Sequence, residues 1–250
     1  MKAEAYSAML RETPDIETSS DGYASRFAGP AGRYMLSVQE QGVLSLLGKA
    51  PTMLGRSVLD VGGGHMQLAG PLARRGCAVT VFGSDEACAA RLRAGPMAEE
   101  VRFASGDLLA LPFEDRAFDA VVSVRLISHM EDWQGLVAEL CRVTRHSIVI
   151  DYPTLVSLNA LSLVTFPLKR AIEKNTRTYR SFRPSELTAT FARHGFRPAH
   201  SIKQFVVPMA AHRLLGRTGI VRGVESGLRA VGVTRMIGNP VLLRLDRVPA

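Results

Sequence analysis

Residues 57–64 read Ser-Val-Leu-Asp-Val-Gly-Gly-Gly, and no other stretch constrains the fold as much. Val58, Leu59 and Val61 make an apolar run of strand length that enters three consecutive glycines, Gly62, Gly63 and Gly64. A helical pattern follows from about Met66 and carries Leu68, Leu72 and Ala73. Strand, glycine turn and helix start form a site of nucleotide size, because glycine lets a ligand lie against backbone N–H groups. Asp60 stands at the strand end, facing whatever the glycines hold. The spacing excludes one ligand class. A dinucleotide turn reads G-x-G-x-x-G/A, and its sixth place here is Gln67, so a nicotinamide-dependent oxidoreductase is disfavoured.

Further strands follow at short spacing. Val79–Phe82 reads as a second buried strand after Gly76, and Val101–Leu108 as a third that ends in an acidic residue. A Pro-containing loop from Leu111 leads to a fourth strand through Ser123, a helix over 133–143, and a fifth strand over Ser147–Tyr152. Alternation of this kind predicts an α/β fold with helices on both sheet faces. Pro184–His194 reads as a helix, 199–207 as a sixth strand and Val241–Leu245 as the last.

Asp-x-Gly-x-Gly at 60–64, Gly106-Asp107-Leu108, Leu111-Pro-Phe-Glu-Asp-Arg-Ala-Phe-Asp-Ala-Val121 and the helix–Gly195-Phe196–strand ending occur in one order. This pattern, over about residues 20–207, resembles class I S-adenosylmethionine-dependent methyltransferases. The resemblance implies a Rossmann-like doubly wound sheet, mostly parallel with an antiparallel last strand, and helical insertions in the C-terminal third. It implies one domain over 1–250: an N-terminal helical cap (1–50), a cofactor-binding core (55–152) and substrate-side helices with the last two strands (153–250).

By the same resemblance S-adenosylmethionine is the cofactor. Asp60, Gly62 and Gly64 would hold its methionine end, and Asp107 and Leu108 its adenine. Arg26, Arg33 and Arg125 are candidates for its carboxylate, since a carboxylate seeks an arginine or backbone donors. Tyr23-Ala-Ser-Arg26-Phe27 is similar to an N-terminal segment that closes over the cofactor. Two departures stand out. Met66 occupies the usual third glycine, and Gly83 the usual ribose-binding acid after the second strand. Asp85 either reaches the ribose or caps the helix over 86–94, and Asp107 has the same alternative at its own turn. His129, after the fourth strand, is the first candidate base, or else a structural hydrogen bond at the next helix start. Tyr152 is the second candidate to touch substrate and Tyr34 a weaker third.

Composition fits an enzyme-sized core, with 250 residues of which 46% are hydrophobic. The three cysteines are scattered without His partners, which points to buried thiols in a reducing cytoplasm and to no metal site. No leader pattern or spanning apolar run is present. The net charge is +8, and residues 166–250 hold 16 Lys/Arg against 4 Asp/Glu. That imbalance suggests an anionic acceptor or surface, or else a solvated basic face. No nucleic-acid module pattern accompanies it. Residues 153–175 are apolar and then basic, and 209–235 read as two short basic amphipathic helices. Either stretch could cover a pocket, meet a membrane periphery or simply pack. The expectation is a cytoplasmic methyltransferase, acting by O-methylation on a small metabolite, a glycan or a lipid-linked intermediate. The alternative is a non-catalytic relative that binds a ligand or partner.

Overall fold

The computed structural model describes residues 12–48, 50–155, 179–207 and 218–249. The N-terminal part is helical: α1 (Pro14–Ser19), α2 (Asp21–Ser25), α3 (Gly29–Leu47) and α4 (Ala50–Met53). Then come β1 (Ser57–Val61), α5 (Ala69–Ala73), β2 (Ala78–Gly83), α6 (Ala90–Arg93), β3 (Arg102–Ser105) and β4 (Phe118–Ser123). They are followed by α7 (Trp133–Val143), β5 (Thr144–Tyr152), α8 (Pro184–Arg193), β6 (Phe196–Phe205), α9 (Thr218–Ala230), α10 (Val233–Ile237) and β7 (Asn239–Arg247). The seven strands form one sheet in the order β3-β2-β1-β4-β5-β7-β6. Strands β1 to β5 pair in parallel, and β7 runs antiparallel to both β5 and β6.

The central strands are buried on both faces, as parallel strands between helix layers must be. Side-chain alternation then sorts their residues. Leu59, Val61, Val121, Ile148, Ile150 and Tyr152 join the core beneath α7 and α8. Val58, Ala120, Val122 and Val149 join the core beneath α3 and α5. Asp60 and Asp151 share the parity of that second set, so both carboxylates stand on the α3 face at the C-terminal edge. At the opposite edge Asp119 accepts from Ser57 N (2.9 Å) and from Arg145 (2.8 Å), tying β1, β4 and β5 together away from any cleft.

Two boundaries differ from the sequence reading. The helix expected from Met66 begins at Ala69, because Met66 itself takes a left-handed backbone, φ 61°. A helix thus cannot pass through it. Downstream, Gly219, Gly223 and Gly227 all lie inside α9, and the break falls at Gly232, φ 80°. The apolar stretch 156–175, Arg177 and the start of the 209–235 segment lie outside the described residues. Among those described, no helix is long and apolar enough to cross a membrane, and Cys77, Cys88 and Cys141 are buried and free.

Candidate active site

The glycine turn is packed closely enough to exclude side chains. A Cβ on Gly63 would lie 2.4 Å from the Asp60 carboxyl, and one on Gly62 would lie 3.1 Å from Leu126. Asp60 is 1% exposed and its Oδ1 has no hydrogen-bond partner among the described residues. Burial pushes its carboxyl up to about 7, against a smaller opposing pull from Arg125. A buried carboxylate oxygen without a donor, under a bare backbone turn, suits a cationic ligand group. His65, in the same turn, is held down to about 4 by burial and by the positive charges of Arg125 and Arg91, so its ring is neutral. Tyr23 and Phe27 pack edge-on to that ring, at centroid separations of 6.0 and 5.7 Å.

Beside the turn lies a cavity of about 280 Å³ between α3, the loop after β4 and the ends of β5 and β6. Tyr23, Phe27, Met35 and Phe205 supply its apolar wall, and Arg125, His129 and Asp151 its polar side. Asp151 accepts from Arg125 N at 2.6 Å and from Gln39 Nε2 at 2.8 Å. Burial raises its carboxyl to about 6, and those two donors with the Arg125 charge hold it from rising further. Arg125 has a left-handed backbone, φ 59°, which an L side chain adopts at a cost. The Asp151 bond fixes it there, with its guanidinium over the Phe27 ring at 5.4 Å. Among the described lining residues Arg125 is the only Lys or Arg.

His129 ends a short 3-10 turn and lies beside Tyr179, ring centroids 5.6 Å apart. The start of α7 is capped by Asp132, which accepts from Gly135 N, and by Glu12, which accepts from Glu131 N and Asp132 N.

Several expected residues stand elsewhere. Tyr152 is 3% exposed, its ring against Phe182 in the core under α7; strand parity sends it to the face opposite Asp151, so it does not line the cavity. Tyr34 packs edge-on to Phe205 with Arg222 over its ring and is likewise not a lining residue. Arg26 is exposed, pairs with Glu17 at 3.1 Å and covers the Tyr23 ring. Arg33 is exposed on α3. Asp85 is exposed and caps the next turn through Ala87 N at 2.8 Å. Asp107 accepts from Leu109 N at 2.9 Å, a turn cap, and Leu108 is wholly inside the core. Of the three candidate arginines, only Arg125 reaches the cleft. Asp151 escaped the sequence reading because the unbroken apolar run before it gives no parity.

Among the described residues, four cations of the basic C-terminal third hold backbone carbonyls of the fold. Lys203 donates to Met236 O, Arg229 to Gln204 O, Arg244 to Leu46 O, and Arg247 to Cys141 O and Thr144 O.

The N-terminal segment lies across the cleft edge. Asp15 on α1 is fully buried. Its Oδ2 accepts from Ser84 N (2.8 Å), just past β2, and from Cys88 Sγ (3.5 Å), while Oδ1 has no partner among the described residues. Ser19 packs on the turn so closely that a Cβ on Gly64 would fall 2.1 Å from its Oγ.

The sheet order, the single antiparallel strand position and the glycine turn after β1 define the class I S-adenosylmethionine-dependent methyltransferase fold. Residues 59–148 match a family model described as a methyltransferase domain. A demethylmenaquinone methyltransferase of Thermus thermophilus is 36% identical over 114 residues, 43% of this chain and 50% of that protein. A norajmaline N-methyltransferase of Rauvolfia serpentina is 30% identical over 98 residues, 37% of this chain and 34% of that one. The match thus spans half the length, or less, of these curated relatives. Among solved structures, a possible histamine N-methyltransferase of Thermotoga maritima superposes with a TM-score of 0.65 at 18% identity, covering 93% of this chain and 98% of its own. The magnesium protoporphyrin IX methyltransferase of Synechocystis, with bound S-adenosylhomocysteine, gives 0.63 at 14% identity, covering 92% and 96%.

Proposed function

We propose that the protein transfers a methyl group from S-adenosylmethionine to a small, largely apolar acceptor seated in the cavity beside the glycine turn. The observation that carries this reading is the Asp60 Oδ1, without a partner among the described residues, beneath the glycine turn at Gly62–Gly64 and near a cavity with a histidine on its wall. When bound, the cofactor supplies an electrophilic methyl on a sulfonium. Asp60 would receive its ammonium, and the N–H groups of the glycine turn with Arg125 its carboxylate. The sulfonium is a good leaving group, so the chain's work is chiefly positioning. His129 takes the proton from an acceptor hydroxyl, which makes O-methylation the preferred outcome; an acceptor that loses no proton would not need it.

Calorimetric titration with S-adenosylhomocysteine tests the reading. Binding by the wild type, weakened tenfold or more in Asp60→Asn, supports it. A folded wild type that binds nothing overturns it and leaves the second reading, a non-catalytic ligand- or partner-binding relative. That reading has its own observation, the packing of Ser19 directly on Gly64.

A further inference from the structure

The second strand ends in Gly83, where the resembling family carries a ribose-binding acid. The packing explains why no acid stands there. A Cβ on Gly83 would lie 2.6 Å from Cys88 Cβ and 3.2 Å from its Sγ. Cys88 fills the space that an acidic side chain at 83 would need. A carboxylate is nevertheless present at that spot, delivered from another element. Asp15 Oδ2 sits on Ser84 N, the first N–H past β2, and against the Cys88 thiol itself. Its Oδ1 is buried with no donor among the described residues. A buried carboxylate oxygen left in this state is costly unless something donates to it.

We propose that Asp15 is the residue that receives the ribose diol of the cofactor, supplied by the N-terminal helix α1 in place of the absent β2 acid. This rests on the methyltransferase reading above. A vicinal diol offers two O–H donors, and an ionised carboxylate is acceptor-only, so the two match. Because Asp15 is fully buried, α1 lifts to admit the nucleoside and settles back on it. Cofactor binding and docking of α1 then become one event. Asp85, the nearer acid in sequence, is engaged in its own turn cap and exposed.

The test uses S-adenosylhomocysteine and its 2′,3′-dideoxy analogue with the wild type, Asp15→Asn and Asp85→Asn. Asparagine keeps a carbonyl for Ser84 N–H and places an NH2 donor where the diol needs an acceptor, so it is the mildest probe of the role. The wild type is expected to prefer the diol ligand by about tenfold, as hydrogen bonds to a charged group allow. Asp15→Asn should lose that preference while binding the dideoxy ligand as the wild type does, and Asp85→Asn should behave as wild type. A second measurement needs no variant. Amide exchange at Ser84 and along α1 should slow with the diol ligand and much less with the dideoxy one. An unchanged preference in Asp15→Asn, or equal protection by both ligands, overturns the proposal while leaving the methyltransferase reading intact. Tighter binding of both ligands to Asp15→Asn also overturns it, and makes α1 a plug. A wild type that binds neither ligand overturns both readings.

Discussion

The cleft buries one carboxylate at each end, Asp60 on β1 and Asp151 on β5, with only β4 between them. Both stand on the same sheet face and both are nearly inaccessible. Asp151 holds two N–H donors and fixes the left-handed backbone at Arg125. Asp60 Oδ1 holds none among the described residues, and it neighbours a turn where both nitrogens of His65 are also without partners. The Asp151 carboxylate is thus satisfied from within the fold, and the Asp60 Oδ1 is left for something else to complete. Structural polar groups are paired at folding; ligand-binding ones wait, at a cost to stability.

The comparison can be broken most directly by truncation at each end. Asp151→Ala strips the acceptor from two buried donors and should destabilise by about 3 kcal/mol in urea unfolding. Asp60→Asn should change the unliganded stability by less than about 1 kcal/mol, because little is lost from a carboxylate that burial already disfavours. Equal losses in the two variants would erase the distinction.

The glycines offer a second contrast. Gly64→Ala would drive a methyl to 2.7 Å from the Cys88 backbone carbonyl and 2.1 Å from Ser19, costing about 1–3 kcal/mol. Gly223→Ala, in α9 with nothing within 4 Å, should stabilise by about 0.5–1 kcal/mol. Thermal melts read both.

Protonation sharpens the picture further. Asp60 titrates near 7 when folded, above its ordinary 3.8, so its share of stability is present below about pH 4 and is lost as pH rises through 7. A ligand ammonium favours the ionised form. Homocysteine-adduct affinity should therefore rise as pH climbs from about 6 to about 8, by up to about tenfold per unit below the pKa, and lose that dependence in Asp60→Asn. His65 runs the other way. Its contribution is present above 6.5 and is lost as pH falls toward about 4, so His65→Phe should flatten the acid side of the stability curve, the smallest of these effects.

The glycine turn, the alternation of strands and helices, and the place of His129 after the fourth strand were readable because each is local: composition, spacing and strand edges carry them. What escaped was set by long-range packing. Whether Asp151 or Tyr152 faces the cleft depends on strand parity, and a strand buried on both faces shows no alternation to reveal it. Asp85 and Asp107 carry the same sequence signal whether they bind a ligand or cap a turn, and in the structure both cap. Asp15 lies 69 residues from the backbone N–H it meets, beyond any local pattern. The third-glycine departure was legible, but its effect was not: Met66 keeps the left-handed turn that a glycine would take without strain, and so delays the helix.

The fit of Cys88 against Gly83 also constrains how this chain can change. An aspartate introduced at 83 alone meets the Cβ of Cys88 at 2.6 Å, so that step is blocked unless residue 88 becomes glycine or its backbone shifts. Shrinking residue 88 first removes the thiol that Asp15 rests on and opens a small void. The two positions therefore have a preferred order of substitution, and neither single step is neutral. The end of this strand therefore accommodates neither change alone.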